Sequence, residues 1–417
     1  MGIEGKVCFE KNRQKILLNS GILKPLPLLS RSFWSVNHSR LYLSRSSPTK
    51  FLFFFLLFGR PLLLFLTFLL LPLLSRHLQA ATLPPHLLFR TISIEQGLSQ
   101  NSIHSIARDQ FGFIWFGTES GLNKFDGYRF SVYLPIDSDP HSLSNSWINA
   151  LLVDRHGNLW VGTENGLNRY VYSRDRFERY LYDPANPDSI SSSRIFCLFE
   201  DRQGRLWVGT DRGLNLFDRT RQKFIRYRSD PAQPDRTISS DNIRAIAQDS
   251  AGLIWVGTAG GGLNIIDPET GRITHLRATP ASPGPANLTT AQTITYLPDD
   301  HIFAIYIEPH PSETSLSARV SGQRHPERNS EKSSPATPSA DIIWLGTASS
   351  GLIRYDPALS EFRIYRSDPA NPLSISDNSV NCILKDQDGT FWIGTDAGGL
   401  NHFNPHSETF VAFENKP

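Results

Sequence analysis

The chain has 417 residues with 42 Lys or Arg against 40 Asp or Glu, a near balance that hides a strong asymmetry. Residues 1–81 carry net +9 and the remaining 336 carry net −7, so a basic leader precedes a mildly acidic region. That region has no basic stripe interleaved with aromatics, which excludes nucleic acid as a partner, and three cysteines (Cys8, Cys197, Cys382) are too few for a disulfide framework.

In chain order, residues 1–50 carry no structural pattern, and Met1 is the only methionine. They read as a disordered leader or an upstream extension of the gene model. Residues 51–74, FLFFFLLFGRPLLLFLTFLLLPLL, are apolar apart from Arg60. The 14 residues from Pro61 to Leu74 suit the apolar core of a signal peptide cleaved near Ala80 or Ala81. Alternatively, all 24 residues are enough to anchor the chain across a bilayer core about 30 Å thick. Basic residues ahead of the segment keep the N-terminus inside, so the region after it is expected to be exported, on the periplasmic or extracellular side of the membrane.

From about residue 86 to 417 one phrase recurs six times, around Trp115, Trp160, Trp207, Trp255, Trp344 and Trp392. The spacings are 45, 47, 48, 89 and 48 residues, a period that marks propeller blades, with an insertion in the fifth unit. Each unit starts with an apolar strand ending in Asp-x-x-Gly, as at Asp154–Gly157, a turn in which Asp accepts local backbone donors and Gly takes positive φ. The Trp strand comes next (LWVGT), then a Thr-x-x-Gly turn, a third strand (GLNRY) and an aromatic fourth strand (RFERY). The expected fold is therefore all-β, a β-propeller of four-stranded antiparallel blades, with each indole as an inter-blade spacer whose N–H is bonded locally. Cys197 and Cys382 fall at equivalent places in two inner strands and read as packing residues.

The insertion at 309–340 is rich in Pro, Ser and charge and is expected to be disordered, and 277–300 is a second irregular stretch. The other connectors, such as DPANPDSISSSRI (183–195), place Pro, Asp and Asn where ordered turns need them. They lead from the outer strand of one blade to the inner strand of the next, so their ends converge on one face.

These units resemble the two-component regulator propeller repeat: inner strand, D-x-x-G-x-[IL]-W-[IV]-G-T-x-x-G-L, an aromatic outer strand and a D-P-x-x-P-x-S-[IL]-S connector. The resemblance covers about residues 86–417. It implies an extracytoplasmic ligand-sensing module, commonly joined through a membrane span to a histidine kinase, with polysaccharide breakdown products a frequent signal. Six Trp units and a lone leading strand, LLFRTIS (88–93), suggest part of a seven-bladed ring, the kinase region lying in a longer parent. A six-bladed ring closed by its own ends is the alternative.

Repeated residues are scaffold, so function is sought where the units differ. Flanking the aligned Ile103, Ile148, Ile195, Ile243, Ile302 and Val380 are two variable rows at the expected channel mouth. The preceding row is Ser102, Trp147, Arg194, Asn242, His301 and Ser379. The following row is His104, Asn149, Phe196, Arg244, Phe303 and Asn381. Trp147, Arg194, Arg244, His104, Asn149 and Asn381 are the candidate ligand-binding residues, because an aromatic with Arg, His and Asn suits stacking on and hydrogen bonding to a sugar or other polar ligand. No catalytic residue, metal or cofactor is expected, His104 and His301 being without a carboxylate partner. A secreted propeller lyase or hydrolase and a non-catalytic interaction scaffold are the competing readings. Expected partners are a small-molecule or oligosaccharide signal, the downstream histidine kinase, the membrane and a second copy of the chain.

Overall fold

The computed structural model describes residues 91–278, 292–294, 296–309 and 341–413. The leader (1–50), the signal or anchor segment (51–81) and residues 310–340 of the insertion lie outside these residues. No helix among the described residues is long and apolar enough to cross a membrane.

The repeats fold as six antiparallel sheets, over residues 103–133, 148–180, 195–227, 243–276, 302–365 and 380–413. In each, the strands are hydrogen-bonded in chain order from the channel outward, so the period in the sequence becomes a stack of blades. The fifth blade departs from the four-strand pattern. Gln292–Ile294, in a stretch expected to be irregular, pairs antiparallel with Glu361–Tyr365 as an added outermost strand.

Blades pack through the residues the repeat supplies. Five core clusters fill the five interfaces between successive blades, and the indoles of Trp115, Trp160, Trp207, Trp255 and Trp344 stand in them at 0–2% exposure. As the sequence predicted, each indole N–H is bonded locally: Trp115, Trp160, Trp207 and Trp255 donate to the Asp of their own Asp-x-x-Gly turn at 2.8–2.9 Å. In the fifth blade Glu308 takes that role, at 3.1 Å. In the first five blades the Gly of the Gly-Thr pair lets the next blade approach. A Cβ built on Gly162 would lie 2.6 Å from Cγ2 of Ile195, the first residue of the neighbouring inner strand.

The connectors are ordered, and their apolar residues Leu143, Ile190, Ile238 and Ile375 are fully or almost fully buried. The Asn of the third strand anchors them: Asn168 Oδ1 accepts from the Ser144 amide at 3.0 Å, and Asn215 Oδ1 from the Ser191 amide at 2.8 Å. The segment entering the first blade docks likewise, with Ser99 N donating to Asn123 Oδ1 at 2.9 Å.

The expected seventh blade is not observed; the described residues form six. Of the leading strand 88–93, residues 88–90 lie outside the described set and 91–93 pair with no sheet; Ile94–Gln96 form a 3-10 turn capped by Ser93. No core cluster among the described residues joins the sixth blade to the first. Ile103 is half-buried, whereas its counterparts Ile148, Ile195, Ile243, Ile302 and Val380 are fully buried.

Candidate ligand-binding site

The six inner strands line a central cavity of about 410 Å³, within the size range of small-molecule sites. In every blade the pairing of first and second strands slips by one residue at the same place: Ile148 pairs with Thr163 and Ala150 with Gly162, leaving Asn149 unmatched. The unmatched residues are His104, Asn149, Phe196, Arg244, Phe303 and Asn381, which is the row following the aligned apolar residue. A bulge bends its strand and re-aims one side chain. Asn149, Phe196, Arg244, Phe303 and Asn381 accordingly line the cavity at its connector end.

Trp147 stands at 40% exposure on the rim, stacked on the His104 ring with centroids 5.7 Å apart and planes inclined by 22°. His104 Nε2 lies 3.2 Å from Glu119 Oε1, and His301 Nδ1 lies 3.4 Å from Asp299 Oδ1. Both histidines therefore have a carboxylate partner, contrary to the expectation from sequence. Glu119 comes to His104 through the hairpin between them, and Asp299 is two residues ahead of His301 in the loop that enters the inner strand.

Asn149 Nδ2 donates to Glu164 Oε1 at 2.8 Å and to the Ile195 carbonyl at 2.9 Å, while Arg194 pairs with Glu164 from the next blade. Asn381 Nδ2 donates to Asp396 Oδ1 at 3.1 Å. The Arg244 guanidinium lies 3.9 Å from the centre of the Phe196 ring and 5.8 Å from that of Phe303. Burial is the main cause that lowers its pKa from the usual arginine range.

The structure thus brings His104 and Trp147 together on the rim, and Asn149 and Arg194 around one carboxylate, with Arg244 and Asn381 on the cavity wall. Sequence reasoning missed the carboxylates themselves. Glu119, Glu164, Asp211 and Asp396 all come directly after the Gly-Thr pair, a position that varies between units and could have been aligned as a third row. In the fourth and fifth blades that position holds Ala259 and Ala348.

The family model described as "Two component regulator propeller" matches residues 97–120, 142–165, 189–212, 237–260 and 374–397. Each match runs from a connector to the turn after the Trp strand, and the unit carrying the insertion is not among them. "Histidine kinase P4" of Formosa agariphila is 43% identical over 56 residues, which are 13% of this chain and 4% of that protein. Among solved structures, the extracellular domain of the hybrid two component system BT3049 of B. thetaiotaomicron is 25% identical with a TM-score of 0.46, over 75% of this chain and 41% of that one. Virginiamycin B lyase of Staphylococcus aureus is 13% identical with a TM-score of 0.49, over 76% of this chain and 85% of the lyase. The chain thus spans less than half the length of the kinase and of the two-component domain.

Proposed function

From repeats that belong to the two component regulator propeller family, we propose that this chain is the exported, non-catalytic sensor module of a two-component system, binding a soluble signal at the connector-end mouth of its channel. Ligand occupancy there would bias the packing of neighbouring blades and so reach a histidine kinase region, directly or through dimerisation. The observation that carries this reading is the row of bulges: five of its six residues, Asn149, Phe196, Arg244, Phe303 and Asn381, converge on one cavity, the sixth, His104, stacks on Trp147, and the row is polar and aromatic. A basic leader ahead of an apolar stretch supports export.

The test is calorimetric titration of the chain with fractionated plant and algal oligosaccharides, in parallel with the Trp147→Ala variant. Saturable binding that the variant weakens by about tenfold or more supports the reading, since an aromatic platform under a ligand contributes roughly 1–3 kcal/mol. Binding that ignores Trp147, or no binding by a folded chain, overturns it. The His104–Glu119 pair favours a second reading, acid–base chemistry on the bound ligand, because a carboxylate beside an imidazole can tune and orient it. Chromatography of the ligand after incubation separates the two, as a sensor returns it unchanged.

A further inference from the structure

Building on the reading of the channel mouth as the ligand site, we propose that it receives a small organic carboxylate that also carries hydrogen-bond donors, with Arg244 taking the carboxylate. Arg244 is the residue at the bulge of the fourth inner strand, and its guanidinium lies 3.9 Å from the centre of the Phe196 ring in the cavity wall. Among the described residues no hydrogen bond or ion pair reaches that guanidinium, and its Nε is buried without an acceptor. Its neighbours are satisfied: Arg194 is paired with Glu164, and Lys385, near the far end of the channel, with Glu308.

An arginine keeps its charge even when buried, and a buried charge without a counter-ion is costly. The aromatic faces of Phe196 and Phe303 offset only part of that cost. A carboxylate offsets far more, because its two oxygens match the planar fork of a guanidinium.

The rest of the mouth selects what the carboxylate is attached to. Acidic side chains stand directly after the Gly-Thr pair in the first, second, third and sixth blades, and Ala259 and Ala348 replace them in the fourth and fifth. Of these acids, Glu164 and Asp211 are close enough to act on the Arg244 charge without pairing with it. A simple anion meets one cation not already paired with a carboxylate, inside a largely acidic rim, and is repelled on approach. A ligand that also carries hydroxyl or ammonium groups turns that rim into acceptors. Asp211 Oδ1 of that rim, and Asn242 Oδ1 just ahead of the fourth inner strand, are buried and have no donor among the described residues. The chemistry fits hydroxylated acids such as sugar acids and zwitterions such as amino acids, which share a carboxylate and differ in the donor.

The experiment titrates the full chain, by calorimetry and Trp fluorescence, with four probes: sodium glucuronate, glycine, sodium acetate and glucose. Glucuronate or glycine is expected to bind, and which of them does identifies the donor. Acetate, lacking donors, and glucose, lacking the carboxylate, are expected to bind at least about tenfold more weakly. Arg244→Gln is expected to weaken the binding probe by roughly tenfold to a hundredfold, the range for a lost charged hydrogen bond, with Arg244→Lys between the two. Unchanged thermal unfolding of both variants shows that the loss is local. Glucose binding as well as glucuronate, Arg244→Gln binding like the parent, or none of the four probes binding overturns the carboxylate assignment. If an oligosaccharide still binds in a Trp147-dependent way, the mouth remains the ligand site and only the assignment falls. If binding is indifferent to Trp147 as well, both fall.

Discussion

The interface between any two successive blades and the face of the sixth blade beyond Trp392 are built from the same phrase, yet they are packed differently. Trp207 is fully buried, with Leu214, Ile243, Ile254 and Val256 in its cluster. Trp392 makes the same bond to its own Asp-x-x-Gly turn, Nε1 to Asp386 Oδ2 at 3.0 Å, but is only half-buried, against His402 and Phe413 of its own sheet. A Cβ on Gly162 would collide with the next blade, whereas one on Gly394 meets only Cys382 Sγ of its own blade, at 2.4 Å. The local hydrogen bond is a property of the sequence, while burial is a property of the neighbour. Most of the repeat's stabilisation comes from the second.

Truncating the two tryptophans puts that contrast to its most severe test. Trp207→Ala is expected to cost about 3–5 kcal/mol, the usual range for emptying a large buried site, and Trp392→Ala well under half of that, both read from urea midpoints. Equal losses would show that the sixth blade's outer face is packed after all. Next in size are the glycines. Gly162→Ala is expected to cost about 1–3 kcal/mol by overpacking against Ile195, and Gly394→Ala less, because a single sulfur can move aside.

A smaller, pH-dependent effect tests the local bond alone. Burial raises the Asp154 carboxyl, but hydrogen bonds from Trp160, Asn158 and Arg219 outweigh it and hold the pKa below the usual range. A depressed folded-state pKa means the stabilisation is complete above the unfolded value, near about 3.9, and fades as pH falls through the folded value. Asp154→Asn is therefore expected to flatten the stability curve on the acid side, below about pH 4, relative to the parent. A curve of unchanged steepness there would remove Asp154 from the account. The smallest effect is expected at Trp147. As an exposed rim residue, its change to Ala should shift the unfolding midpoint by no more than about 0.5 kcal/mol equivalent, while affecting ligand binding.

The blades were legible in the sequence because their signals are local and repeated: a Trp every 45 to 48 residues in the regular units, a turn at each Asp-x-x-Gly, alternating apolar strands. The site was legible only in part. Aligning units on their apolar residues found the row that lines the mouth, but a one-residue slip in strand pairing leaves no mark on the period. That the row is bulged was therefore not foreseen. Glu119 is 15 residues from His104, and only the hairpin brings them together. The edge strand Gln292–Ile294 was hidden for a related reason, since its partner Glu361–Tyr365 comes almost 70 residues later, beyond the insertion. The seventh blade was expected from LLFRTIS, whose strand-like composition is not answered by any partner strand at residues 91–93.

The bulges also bear on how such a domain changes over time. A residue left unmatched between two ladder positions can be exchanged without breaking a backbone ladder bond of its sheet. His104, Asn149, Phe196, Arg244, Phe303 and Asn381 thus form a six-letter word whose spelling the strand ladders do not dictate. Duplicated copies of the gene could acquire new specificities by substitution at these sites with the strand ladders kept.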